Sequence, residues 1–161
     1  MIDARLRVAL VATAVAWAAL LVAVPFLASR AHASPLASAL IVGVYAFGSV
    51  VCHQLPERSY HLWTAQMPVC ARCAGIYFGA VAGAIVATFR AAEAVRHTGK
   101  KLAPGRVRAA LALAVTPTVL TLVYEWTTGV MPAHGIRAAA GAPIGLVVAW
   151  LVVTAAENQV N

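Results

Sequence analysis

Apolar residues fall in five long runs separated by short polar breaks, covering about residues 8–28, 35–51, 69–89, 109–126 and 136–156. Each run is close to the ~20 residues that an α-helix needs to cross a ~30 Å hydrocarbon layer. The pattern predicts an all-α fold: a polytopic membrane helix bundle of about five transmembrane helices, forming one domain over 1–161. Ala31-His32-Ala33 after the first run has the small-x-small form of a signal cleavage site. The run before it exceeds the ~7–15 apolar residues usual in a signal core, so it reads as a retained helix. Pro117 lies inside the fourth run and should kink it, because it removes a backbone donor. The third run repeats a small residue every fourth position, at Ala71, Gly75, Gly79, Gly83 and Ala87, and the fifth repeats it at Gly141 and Gly145. Such stripes let helix backbones approach closely in lipid.

Composition agrees with the pattern. Of 161 residues, 62% are hydrophobic and 11% charged, with a mean hydropathy of +0.84. A soluble domain is about 25% charged. The lipid bilayer is therefore the first partner. The net charge of +7 is mainly topogenic. Six of the twelve basic residues lie between Arg90 and Arg108: those two with Arg96, Lys100, Lys101 and Arg106. Short loops with that excess stay cytoplasmic, which puts the loop between helices two and three on the extracytoplasmic side. No aromatics interleave these charges, which argues against nucleic acid as a partner. Two crossings separate the loop after helix two from the loop after helix four. Cys52–Cys73 and Glu125–Arg137 should therefore share one side.

Polar residues concentrate in two half-motifs. Cys52-His53-Gln54-Leu55-Pro56-Glu57-Arg58-Ser59-Tyr60 leaves helix two, and Pro68-Val69-Cys70-Ala71-Arg72-Cys73-Ala74-Gly75-Ile76-Tyr77 enters helix three. Ionisable groups near membrane depth are costly and usually mark function. Pro68 suits a helix start, where its missing donor costs nothing. Cys70 and Cys73 would then share the first turn, where free N–H groups and the helix dipole favour thiolates. Cys52, His53, Cys70 and Cys73 form the ligand set of a Cys3His site for zinc or another transition metal. Adjacent Cys52 and His53 reach one ion with difficulty, so His61 or a water is the alternative fourth ligand. An odd number of cysteines speaks against a disulfide framework. A Cys-x-x-Cys pair at a helix start is nonetheless also a redox arrangement. Arg58, Ser59, Gln54, Arg72 and Arg137 are the candidate ligand-binding residues, since guanidinium suits phosphate or carboxylate. Glu125 and Arg58 are the candidate catalytic groups, and Glu125 is also expected to pair with Arg137 or Arg58. No nucleophile–base pair is readable, so the sequence does not decide whether the chain is an enzyme. Tyr77, Trp63 and Trp126 fit an interfacial aromatic belt. His32, His97 and His134 receive no role.

These motifs resemble the signature of a family of small prokaryotic membrane proteins of unknown function, Cys-His-Gln … Arg-Ser … Pro-x-Cys-x-Arg-Cys-x-Gly-x-Tyr. The resemblance spans about Cys52 to Gly145 and implies a prokaryotic plasma membrane. Members carry Asp-Gly after a Pro-containing fourth helix and Arg-x-x-Thr-Gly in the last. Here the matching positions are Glu125-Trp126 and Arg137-Ala138-Ala139-Ala140-Gly141, so the acid remains while the glycine and the threonine hydroxyl are lost. The reading that follows is a metal-binding membrane protein that binds or acts on an anionic, lipid-borne or phosphate-bearing ligand. A thiol–disulfide protein using Cys70 and Cys73 is the alternative. A transporter or accessory subunit with a purely structural site is the third, although no inverted repeat is visible.

Overall fold

The computed structural model describes residues 2–30, 34–94 and 103–158. Arg96, His97, Lys100 and Lys101 of the basic loop, and His32, lie outside the described residues. The elements are α1 (Ile2–Ala28), α2 (Pro35–Val51), a 3-10 turn (Pro56–Arg58), β1 (Ser59–Leu62), β2 (Ala65–Cys70), α3 (Ala71–Ala94), α4 (Pro104–Thr128) and α5 (His134–Asn158). Four helices contain spans long and apolar enough to cross a membrane: Arg5–Ala28, Ala71–Phe89, Pro104–Thr128 and His134–Ala155. At 17 residues, α2 is shorter; it reaches about 26 Å at 1.5 Å per residue. It begins where Ser34 accepts a hydrogen bond from the Ala37 N–H and Pro35 takes the first helical position. The fold is thus an all-α membrane helix bundle.

One local expectation is corrected. The half-motifs were read as a loop running directly into helix three near Val69. Instead β1 and β2 pair as an antiparallel hairpin, with Leu62 opposite Ala65 and Ser59 opposite Cys70. Pro68 and Val69 belong to β2, and the helix starts at Ala71. Trp63 and Thr64 make the two-residue turn, both left-handed, with φ of 50° and 72°. Tight hairpins require that handedness but normally signal it with Asn-Gly or Asp-Gly. Neither residue here is glycine, so the usual signal is missing.

The hairpin lies along α1 rather than in open solvent. Leu21, Cys52, Met67, Val69 and Ala74 form one buried cluster, and the rings of Phe26 and Trp63 meet edge to face at 5.2 Å. The hairpin ladder pairs backbone groups of β1 with those of β2.

The stripe of small residues closes α3 against α5. Gly75, Gly79 and Gly83 face the backbones of Ala138, Ala142 and Leu146, and Gly141 and Gly145 face those of Arg72 and Ile76. Each step of four on α3 is matched by a step of four in the same direction on α5, so the two helices run parallel. Parallel neighbours joined through α4 present the same end, and the start of α3 therefore lies beside the start of α5.

Candidate metal centre and arginine cavity

Three chain ends converge at that end of the bundle. Cys52 caps α2, its N–H donating to the Gly48 carbonyl at 2.9 Å. Cys70 ends β2, and Cys73 sits on the first turn of α3. The sulfurs of Cys52, Cys70 and Cys73 all lie within 4.8 Å of one another. Each is a free thiol; Cys52 is buried and the other two are half-buried. The Cys70 N–H donates to the Cys52 sulfur at 3.2 Å. A hydrogen bond from the Cys73 thiol pulls the Cys70 pKa down to about 5, against the opposing effect of burial.

Gln54 and Tyr45 hold these ends together. Gln54 adopts a left-handed φ of 48°. Its side-chain amide then donates to the carbonyls of Tyr45 at 2.8 Å and Pro68 at 2.7 Å. Gln66 donates to the Gln54 carbonyl at 2.5 Å, and the Tyr45 hydroxyl donates to the Gln66 carbonyl. A Cβ at Gly48 would fall 2.3 Å from the Pro68 carbonyl oxygen, so glycine there admits β2 to the face of α2.

Beside the sulfurs stands a buried ionic cluster. Glu125 lies in the last turn of α4, which stops at Gly129 in a left-handed C-cap (φ 69°). The short return to His134 brings α5 back at once. One oxygen of Glu125 accepts a hydrogen bond from Arg72 Nη2 at 3.2 Å and forms an ion pair with Arg137, whose Nε lies 3.1 Å away. Arg72 also donates to the Thr121 hydroxyl at 3.2 Å. Arg137 is 1% exposed and Glu125 7%. Nε of Arg58 and Nε of Arg72 are buried without a hydrogen-bond partner.

A cavity of about 320 Å³ joins the two clusters, walled by Cys52, Cys70, Cys73, Arg58, Arg72 and Arg137, with Gln54 and His53 also lining it. The residues expected to act together are therefore partly assembled. The three cysteines, Arg58, Arg72 and Arg137 meet. The Glu125–Arg137 pair forms, whereas Glu125–Arg58 is not among the ion pairs of the described residues. His53 is exposed and stands outside the 4.8 Å sulfur group. His61 is exposed on β1. Ser59 is fully buried, and its hydroxyl is used by the Leu55 carbonyl at 2.9 Å. Tyr45, Gln66 and Thr121 were not singled out from the sequence. Thr121 alone left a trace, standing one helical turn before Glu125 on α4.

An uncharacterized protein, MJ1492, of Methanocaldococcus jannaschii is 38% identical over 65 residues, covering 40% of this chain and 42% of that protein. The match thus spans less than half of that relative's length. No solved structure matches. A family model described as a predicted membrane protein matches residues 52–151, the stretch that holds both half-motifs, the ionic cluster and the paired helices. The chain belongs to this family, DUF2085.

Proposed function

We propose that the protein is a membrane metal-binding protein whose centre is held by Cys52, Cys70 and Cys73, with its remaining face turned to an arginine-lined anion cavity. The observation that carries this reading is the convergence of three sulfurs from three separate elements within 4.8 Å. Tetrahedral zinc at ~2.3 Å from each thiolate places the sulfurs about 3.8 Å apart, so the cluster needs little closure. Three thiolates, with no carboxylate among them, suit zinc or another thiophilic transition metal. His53 on the cavity rim is the candidate fourth ligand, and an exogenous ligand is the alternative. A divalent ion there would supply Lewis acidity toward a bound oxygen ligand. Arg58, Arg72 and Arg137 would hold and orient an anion, with Glu125 fixing the two buried guanidiniums.

The test is elemental analysis of protein purified in detergent without chelator. About one equivalent of metal is expected, lost in Cys73→Ser and in Cys52→Ser. Metal-free wild-type protein from metal-supplemented cells would overturn the reading. The lowered Cys70 pKa favours a second one, a Cys70–Cys73 dithiol–disulfide pair. Non-reducing mass spectrometry separates them, since a disulfide between those residues and a shared ion exclude each other.

A further inference from the structure

A second cavity adjoins the first. It is an apolar groove of about 670 Å³, walled by α1, the end of α2, α3 and α5. Val51 and Ile76 line both spaces, so the polar cavity and the groove lie side by side. Both volumes fall in the range of about 300–1,000 Å³ usual for ligand sites. Along α3 the groove runs from Ile76 to Ala84, about 12 Å at 1.5 Å per residue. Half of a ~30 Å hydrocarbon layer is of similar depth. The groove therefore starts beside the polar site and runs for about the depth of one leaflet's acyl chains.

The polar end carries uncompensated charge. Arg72 and Arg137 share one buried carboxylate, Glu125, and Arg58 lines the same cavity with no carboxylate among its walls. Glu57, the neighbouring acid, is exposed and not among the cavity walls. Three thiolates on a divalent ion would return one negative charge, which would still leave one positive charge at the cavity. Buried charge without a partner is costly, and a bound anion removes that cost.

We propose that the two spaces form one site for a single anionic phospholipid of the adjoining leaflet, its phosphate among Arg58, Arg72 and Arg137 and an acyl chain in the groove. The proposal rests on the anion-binding half of the function above and specifies its ligand. Thr13 on α1 and Val148 on α5 contribute opposite walls of the groove, and both are exposed in the isolated chain.

The experiment is native mass spectrometry of the full chain in a neutral maltoside detergent, titrated with dioleoyl phosphatidic acid, dioleoyl phosphatidylcholine or inorganic phosphate. Metal content is measured on the same samples. Phosphatidic acid is expected to bind at least about tenfold more tightly than phosphatidylcholine, a difference of about 1.4 kcal/mol. Arg58→Gln should abolish that preference. Val148→Trp and Thr13→Trp should each weaken phosphatidic acid about tenfold with unchanged thermal stability. Equal binding of the two lipids would identify the groove's occupant as bulk annular lipid and overturn the proposal. So would displacement of phosphatidic acid by equimolar inorganic phosphate, which would make free phosphate the ligand. Unaltered binding in both stable tryptophan variants would exclude the groove. Lipid selectivity in metal-free protein would count against the metal centre alone, and full metal without selectivity would count against the lipid alone.

Discussion

Gly79→Ala adds one methyl group at the centre of the α3–α5 contact. Its Cβ would stand 2.1 Å from the Ala142 carbonyl oxygen, whereas ordinary contact begins at 3.4 Å. The two backbones must therefore separate by about 1.3 Å, because the obstructing atom is main chain and has no rotamer to change. Moving the helices apart would also loosen the matching contacts at Gly75, Gly83, Gly141 and Gly145. Overpacking of this kind costs about 1–3 kcal/mol. At about 2–4 °C per kcal/mol for a chain of this size, the melting temperature should fall by roughly 2–12 °C. Gly43→Ala on α2 is the control, since nothing lies within 4 Å of the added Cβ. There the gain in helix propensity, about 0.5–1 kcal/mol, should leave stability equal or higher. The assay is thermal unfolding of both variants in one detergent, followed by size-exclusion recovery. If Gly79→Ala melts with or above Gly43→Ala, the small-residue stripe does not hold these helices together.

Three further outcomes follow from the geometry. Glu125→Gln leaves Arg72 and Arg137 buried without a counter-charge, so a loss of about 3–5 kcal/mol is expected; unchanged melting would show that the cluster contributes nothing to folding. Replacing Trp63-Thr64 by Asn-Gly relieves two non-glycine residues from left-handed backbone, each costing about 1–3 kcal/mol. The melting temperature should rise unless the lost Trp63–Phe26 contact outweighs the relief, which Phe26→Ala measures separately. In metal-free protein, Cys70 should react with iodoacetamide with a half-maximal rate near pH 5 rather than at its ordinary value of 9.0. Because the folded pKa is depressed, the Cys70 thiolate adds stability that is lost as pH falls through 5. Reaction only above pH 8 would refute the Cys73-to-Cys70 hydrogen bond.

The helices were legible because the bilayer imposes a length, and five apolar runs of that length leave little choice. The glycine stripe foretold a close helix contact but not its partner, since period four marks a face and not what covers it. Cys52, Cys70, Cys73 and the arginines stood out because polar residues are few in this chain. The hairpin did not, because its turn is Trp63-Thr64 and its second strand contains Pro68, a residue usually barred from paired strands. Gln54 and Ser59 also carry structural roles that their place in the motif does not signal. Gln54 donates to the Tyr45 carbonyl of α2 and the Pro68 carbonyl of β2, and Ser59 donates to the Leu55 carbonyl; a polar residue in a motif gives no sign of whether it faces a ligand or its own main chain.

The matched steps of α3 and α5 make an interlocked pair at this end of the bundle. Arg72, Cys73 and Arg137 ride on the interlocked pair, while Cys52 and Arg58 belong to the α2 side, which packs on α1 and β2. Cys52 and Cys70 come from the end of α2 and from β2, and Cys73 from the interlocked pair, so the three sulfurs bridge the two. Val51, one residue from Cys52, is a wall of the apolar groove. An ion held by the three sulfurs would therefore tie α2 to the interlocked helices beside the mouth of that groove.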